Sequence, residues 1–334
     1  MDFRDRNRSL VIALTLACGF ALRTETLRAS EPTPQKLLIA FASYKERPQS
    51  PQLYFYEHDG ISTGKLLGSV PAVAKRSDHH PCFSGDGRLC AFASEAEGQP
   101  CTIQVFDRID NKLLDLPTLN DTPNMQAGPT MTLDGRWLIA EAWSSPQFTG
   151  RWDLLQYDLA RKDVSNLPRV NLAKGDERHP AISGDGRFLA YVSNQSGHGP
   201  TDIALVTWPA AEIIELPGVN SDANDTEPWL DATGRLLAFA SDRRGGEGGR
   251  DIDLYDREAK AFVPLPDVNT PGQEQSPALS PDGRFLVFVS ERLDGAGERD
   301  VLLYDLMQKK LLPLPGLNSP RDDFDPCVMV LGER

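Results

Sequence analysis

The stretch SPDGRFLVFVS, residues 280–290, decides the fold. A polar turn of Asp282, Gly283 and Arg284 opens a run of large apolar residues, Phe285 to Val289, that ends on Ser290. Glycine supplies the positive φ of a tight hairpin, and aspartate bonds the local backbone. The aromatic and β-branched run reads as a buried strand. The pattern recurs as SGDGRLCAFAS (84–94), TLDGRWLIAEA (132–142), SGDGRFLAYVS (183–193) and DATGRLLAFAS (231–241). The turn glycines Gly87, Gly135, Gly186, Gly234 and Gly283 are spaced 48, 51, 48 and 49 residues apart.

Two further landmarks keep the same period. Asp153, Asp202, Asp251 and Asp300 lie 49 residues apart, and a Leu-Pro-x-φ-Asn run ends at Asn120, Asn171, Asn220, Asn269 and Asn318. Each unit reads as four short strands. Strand a follows Pro81, Pro129, Pro180, Pro228 or Pro277, and strand b is the apolar run. Strand c begins at the recurrent Asp, and strand d has the Leu-Leu-Pro-Leu-Pro form seen at 311–315. Four strands per repeat of this length is the pattern of a propeller blade. The ends complete the count. KLLIAFAS (36–43) matches strand b with no strand a before it, and Asp325 to Val330 matches strand a with nothing after it. The C-terminus therefore supplies the strand that the first blade lacks, which closes the ring and leaves no open edge. The expectation is an all-β, six-bladed propeller of four-stranded antiparallel blades over residues 30–334.

Composition agrees and excludes some roles. The chain has 334 residues, a formal net charge of −13, 40% apolar residues, 27 Gly and 26 Pro. An acidic surface argues against binding nucleic acid. Five cysteines without a C-x-x-C pair argue against a structural zinc site. Arg4, Arg6 and Arg8 precede an apolar run, Leu10 to Leu22, too short to span a bilayer. Residues 1–29 read as a signal peptide cleaved after Ala21 or Ala29, with an uncleaved anchor as the alternative. Cys18 gives a lipoprotein alternative, although Thr15 stands where a lipobox carries Leu. The expected location is periplasmic or secreted.

The units ending S-P-D-G-R-φ-φ-φ-F-φ-S and D-φ-x-φ-Y-D resemble the WD-like repeat of the TolB family of bacterial envelope propellers. The best copies are 277–305 and 228–256, and the resemblance covers residues 36–330. It implies a periplasmic six-bladed propeller that binds protein partners around its central funnel. The TolB propeller follows an α/β domain, for which the sequence before residue 36 leaves no room. Related repeats also occur in peptidase-associated domains and in lyases, some of them metal-dependent with His and Gln ligands.

In such a ring the residues before each proline surround the funnel mouth. They are His79-His80, Gln126-Ala127-Gly128, Arg178-His179, Thr226-Glu227, Gln275-Ser276 and Phe324-Asp325. The candidate binding residues are His79, His80, Arg178, His179, Glu227, Gln275 and Asp325. Imidazoles and carboxylates facing one channel could hold a divalent metal, the one cofactor the sequence suggests. The other reading is a hydrated polar mouth. Asp78, Asp176, Glu177, Asp225, Glu274, Asp322 and Asp323 recur in the d-to-a loops, either as an acidic face for a basic partner or as caps of loop amides. Trp143 and Trp152 flank the longer b-to-c loop of the third blade, either as a sugar or peptide platform or as packing between blades. Cys82 and Cys90 lie symmetrically about Asp86, which suggests a cross-strand disulfide; two buried thiols are the alternative. No catalytic nucleophile stands out. The expected function is a non-enzymatic scaffold, acting as a monomer, that binds an envelope protein or exported peptide at the funnel. The alternatives are a metal-dependent polysaccharide lyase and a glycan-binding module.

Overall fold

The computed structural model describes residues 35–332 apart from 72–75, 121–124, 144–151, 173 and 196. The expected signal peptide, Cys18 and most of the blade 3 b-to-c loop lie outside the described residues. Six antiparallel sheets are present among them. From the innermost strand outward, blade 1 holds Asp323–Leu331, Lys36–Ser43, Gln52–His58 and Gly64–Ser69. Blade 2 holds Arg76–Phe83, Leu89–Ala96, Thr102–Asp107 and Lys112–Leu113, and blade 3 Gln126–Met131, Trp137–Trp143, Trp152–Asp158 and Asp163–Asn166. Blade 4 holds Glu177–Ile182, Phe188–Ser193 and Asp202–Thr207. Blade 5 holds Asp225–Leu230, Leu236–Ser241, Asp251–Asp256 and Ala261–Phe262, and blade 6 Glu274–Leu279, Phe285–Ser290, Asp300–Asp305 and Lys310–Leu312. The all-β six-bladed propeller read from the repeat is thus present, closed by the C-terminal strand. One blade departs from four strands: the outer strand of blade 4 is reduced to the bridge Val206–Ile213, after the chain turns through Trp208-Pro209.

The landmarks have mechanical reasons. The side-chain amide of each recurrent asparagine acts as a short piece of strand. Asn171, Asn220, Asn269 and Asn318 each accept from the amide, and donate to the carbonyl, of one strand c residue 17 positions earlier. The strand c aspartates Asp202, Asp251 and Asp300 cap amides of the preceding b-to-c loops. The turn arginine pairs with the aspartate that ends strand c in blades 2, 3, 5 and 6, as in Arg284–Asp305 at 2.9 Å. In blade 4 that aspartate is Thr207, and Arg187 pairs with Asp185 of its own turn instead. Apolar side chains of strands b and c fill the space between adjacent blades; Leu38, Phe41, Phe239, Phe285 and Phe288 are wholly buried. Each such burial contributes about 1.5–3 kcal/mol.

Strand a begins before its proline, not after it. The acid three residues upstream is buried, and it starts the strand in every blade that has it except blade 2, where the strand starts at Arg76. Asp78, Glu177, Asp225, Glu274 and Asp323 are at most 8% exposed. Of the two readings of the loop acids, capping of loop amides holds for Glu177, Asp225, Glu274 and Asp323. Asp225, Glu274 and Asp323 accept from the amides of Ser221, Thr270 and Ser319, and strand b serines donate to Asp78, Asp225 and Glu274. In blade 3 the pair is replaced as a unit by Gln126 and Ala142, which face each other.

Glu177 is the least satisfied of this set. Its Oε2 accepts from the Leu172 amide at 3.1 Å, but its Oε1 is buried without a hydrogen-bond partner. Burial pushes its pKa up from 4.5 to about 7. The folded protein thus holds a proton that the unfolded chain releases, so the contribution of this group to stability is most favourable below about pH 4.5 and is lost as pH rises through 7. This penalty is on the order of 3 kcal/mol. The E177Q variant, which borrows the blade 3 solution, is expected to lose that part of the pH dependence. Urea midpoints of wild type and E177Q at pH 5 and pH 8 check this: an equal pH response in both would remove Glu177 as its source.

Candidate binding site at the funnel mouth

Proline within a sheet is tolerated at a bulge, where no ladder amide is required. Every blade uses this device. Strand a slips by one residue against strand b between His79 and Cys82, Ala127 and Thr130, Arg178 and Ala181, Thr226 and Trp229, and Gln275 and Ala278; the closing strand does so opposite Ala40–Ala42. The residue before each proline is left-handed: His80, Gly128, His179, Glu227, Ser276 and Asp325 have φ of 51°, 51°, 47°, 54°, 50° and 48°. Five of these six carry a side chain in a conformation that costs about 1–2 kcal/mol. A strained position repeated once per blade is a built ring that aims side chains and amides at the axis.

The ring surrounds a cup of about 200 Å³. Its wall and floor are the six prolines Pro81, Pro129, Pro180, Pro228, Pro277 and Pro326, with Trp229 and Phe324. Below them the channel narrows to about 40 Å³ between apolar residues such as Met131, Ile182, Leu279 and Val328. Trp229 borders both spaces, and its indole donates to the Leu279 carbonyl at 3.1 Å.

The rim is stitched by carboxylates that reach one blade onward. Asp325 of blade 1 accepts from the His80 amide of blade 2 at 3.2 Å, Glu141 of blade 3 from the His179 amide of blade 4 at 2.8 Å, and Glu227 of blade 5 from the Ser276 amide of blade 6 at 2.6 Å. Three acids thus hold the bulges of alternate blades. Cations sit among them: Arg178 lies 3.1 Å from Glu141, Arg250 3.4 Å from Glu227, and Arg299 2.6 Å from Asp322. His79 and His80 face each other with their Nδ1 atoms 2.7 Å apart, and His80 Nδ1 is 3.5 Å from Asp325. Burial, reinforced by the adjacent His80 ring, pushes the His79 pKa down to about 4.

Of the seven residues read from the sequence, His80, His179, Glu227, Gln275 and Asp325 line the cup. His79 stands beside His80, outside the lining. Arg178 turns toward Glu141 and lies over the Trp152 ring at 4.5 Å. Reading the sequence missed Arg299, Trp229 and Glu141. Glu141 had a signal: it occupies the position where the other repeats carry Ala93, Val192, Ala240 and Val289. Its carboxylate is almost wholly buried. Burial alone would raise its pKa, but His179 and Arg178 outweigh that and hold it below the ordinary glutamate value.

One pair of readings is decided and one expectation changes. Trp143 and Trp152 pack edge to face on each other at 5.3 Å, paired across the ends of strands b and c of blade 3. One face of Trp152 is covered by Arg178 of blade 4, so Trp152 packs at the seam between blades, the second of its two readings, while Trp143 stays exposed. The Cys82–Cys90 disulfide does not form: all four described cysteines are free and buried. The turn is centred between Asp86 and Gly87, so Cys82 faces Ala91 and Cys90 faces Phe83. That single-residue offset sends the two thiols to opposite faces of the sheet.

No family model and no curated protein matches the chain by sequence. Its structure is similar to TolB from Acinetobacter baumannii, with a TM-score of 0.65 and 17% identity over 87% of this chain and 66% of that one. It is also similar to hydrazine synthase of Kuenenia stuttgartiensis, with a TM-score of 0.60 and 12% identity over 90% and 47% of the two chains. A third likeness is to an oligogalacturonate lyase from Vibrio parahaemolyticus, with a TM-score of 0.51 and 13% identity over 81% and 72%. The chain therefore spans just under two thirds of the TolB structure and about half of the hydrazine synthase chain. Among the described residues no helix is long and apolar enough to cross a membrane. These likenesses show the fold, a TolB-like six-bladed propeller, and the fold alone.

Proposed function

We propose that the chain is an exported, non-enzymatic scaffold whose funnel mouth binds a protein or peptide partner of the cell envelope. The observation that carries this reading is the shape and chemistry of the cup. It is smaller than the roughly 300–1,000 Å³ of a typical small-molecule site. Its floor is proline and aromatic, its rim is charged, and the rim carboxylates are already committed to rim amides. Such a cup accepts one apolar side chain or a chain end of a partner that spreads over the surrounding loops. An apolar anchor in a pocket with a polar rim is how protein interfaces gain most of their affinity. The TolB likeness supports the same kind of role. A metal-dependent lyase remains the second reading, with the group of His79, His80 and Asp325 as its one supporting observation.

The test is site-specific crosslinking. A photoreactive residue is placed at Gln275 on the rim and, as control, at Ile213 on the outer edge, which is 81% exposed. Both proteins are mixed with envelope extract of the native host and irradiated. One discrete adduct from position 275 and none from 213 is expected. Equal labelling at both positions, or none at 275, would count against the funnel as the binding site.

A further inference from the structure

We propose that His79, His80 and Asp325 form a binding site for a first-row divalent transition-metal ion at the seam between blades 1 and 2. In a regular strand, consecutive side chains point to opposite faces. The left-handed bulge at His80 removes that alternation and turns both imidazoles to one side. Their Nδ1 atoms approach to 2.7 Å, and the carboxylate of Asp325, from the equivalent bulge of the neighbouring blade, closes the group. One ligand atom from each residue lies within 4.8 Å of the others. Only blade 2 places histidine at both bulge positions, so among the six blades this constellation occurs once.

The donor set selects the ion. Two imidazoles and one carboxylate suit zinc, cobalt, nickel, iron or copper, whereas magnesium and calcium take oxygen ligands. Three ligands from one side leave positions for water or for a donor group on a bound molecule. His80 and Asp325 both line the cup, so the group lies at its edge. The inference concerns the ion alone and stands apart from the reading of a protein partner.

The test uses the untagged mature chain, stripped with chelator and titrated separately with cobalt, nickel and zinc. Calorimetry and equilibrium dialysis should give one ion per chain with micromolar or tighter affinity. The cobalt form should show visible d–d absorption without a thiolate charge-transfer band, which separates this site from the four described cysteines. The substitutions H80A and D325N are made at rim side chains, 47% and 11% exposed, and their melting curves serve as fold controls. Each should weaken binding at least tenfold. The absence of binding up to millimolar ion, or binding that survives both substitutions, would overturn the proposal.

Discussion

A chain ended after Arg321 is expected to lose its cooperative thermal transition and to precipitate. The deletion removes Asp323–Leu331, the strand that joins the two ends of the molecule. Its register with Lys36–Ser43 runs from Lys36–Leu331 to Ser43–Asp323. Cys327, Val328 and Met329 within it are at most 4% exposed, and they face a core built by Leu38, Phe41 and Phe285. Losing three buried side chains costs on the order of 6 kcal/mol. Their former neighbours, Leu37 to Ala42, then meet water from zero exposure. A domain's whole stability is about 5–15 kcal/mol, so the remaining blades cannot make up the difference. The bare edge of Lys36–Ser43, apolar from Leu37 to Ala42, is also a template for pairing with other chains. A circular permutant that places residues 322–332 before Lys36 should restore the transition to within a few degrees of wild type. Calorimetry of the three proteins decides the matter: a truncated chain that melts cooperatively near the wild-type temperature would show that ring closure does not hold the fold.

The ring, its blade count and its closing strand were legible because a propeller repeats its hydrogen-bonding solutions. The turn glycine, the strand-like asparagine and the capping aspartate each answer one backbone need, so they recur at one period. The funnel ring was legible for a related reason, since the proline marks the bulge. What escaped depended on single-residue offsets and on contacts between blades. Cys82 and Cys90 look paired until the true turn centre is known. The recurrent acids look like a charged face, yet a position at or near the start of the strand buries five of them. Asp325 and His80 are 245 residues apart in the chain, and only closure brings them together. Glu141 was visible as an acid at an apolar position, but its meaning required knowing that the His179 amide and Arg178 lie across the next seam.

That acid supports the second large prediction. Gly128 is the only glycine among the six left-handed ring residues. The conformation alone does not demand it, since His, Glu, Ser and Asp occupy the same position elsewhere. A Cβ at residue 128 would lie 2.8 Å from Glu141 Oε1. A carboxylate at the end of a flexible side chain can usually move aside, but this one is held by the His179 amide at 2.8 Å and by Arg178 at 3.1 Å. The G128A variant must therefore displace Glu141 from both partners. Its expected cost is about 2–5 kcal/mol, from about 1–2 for the left-handed residue and about 1–3 for the hydrogen bonds lost. The E141A variant, which restores the residue of blades 2 and 5, should itself cost about 1–3 kcal/mol through the unpaired His179 amide. Once Glu141 is gone, adding G128A removes no further hydrogen bond and leaves only the conformational part. The double mutant should then be more stable than the sum of the single losses by about 1–3 kcal/mol. Denaturant unfolding of the four proteins measures this coupling. Additivity within about 0.5 kcal/mol would mean that glycine and glutamate are independent features of blade 3, rather than one solution in which the space left by a missing side chain admits the acid that fastens the next blade.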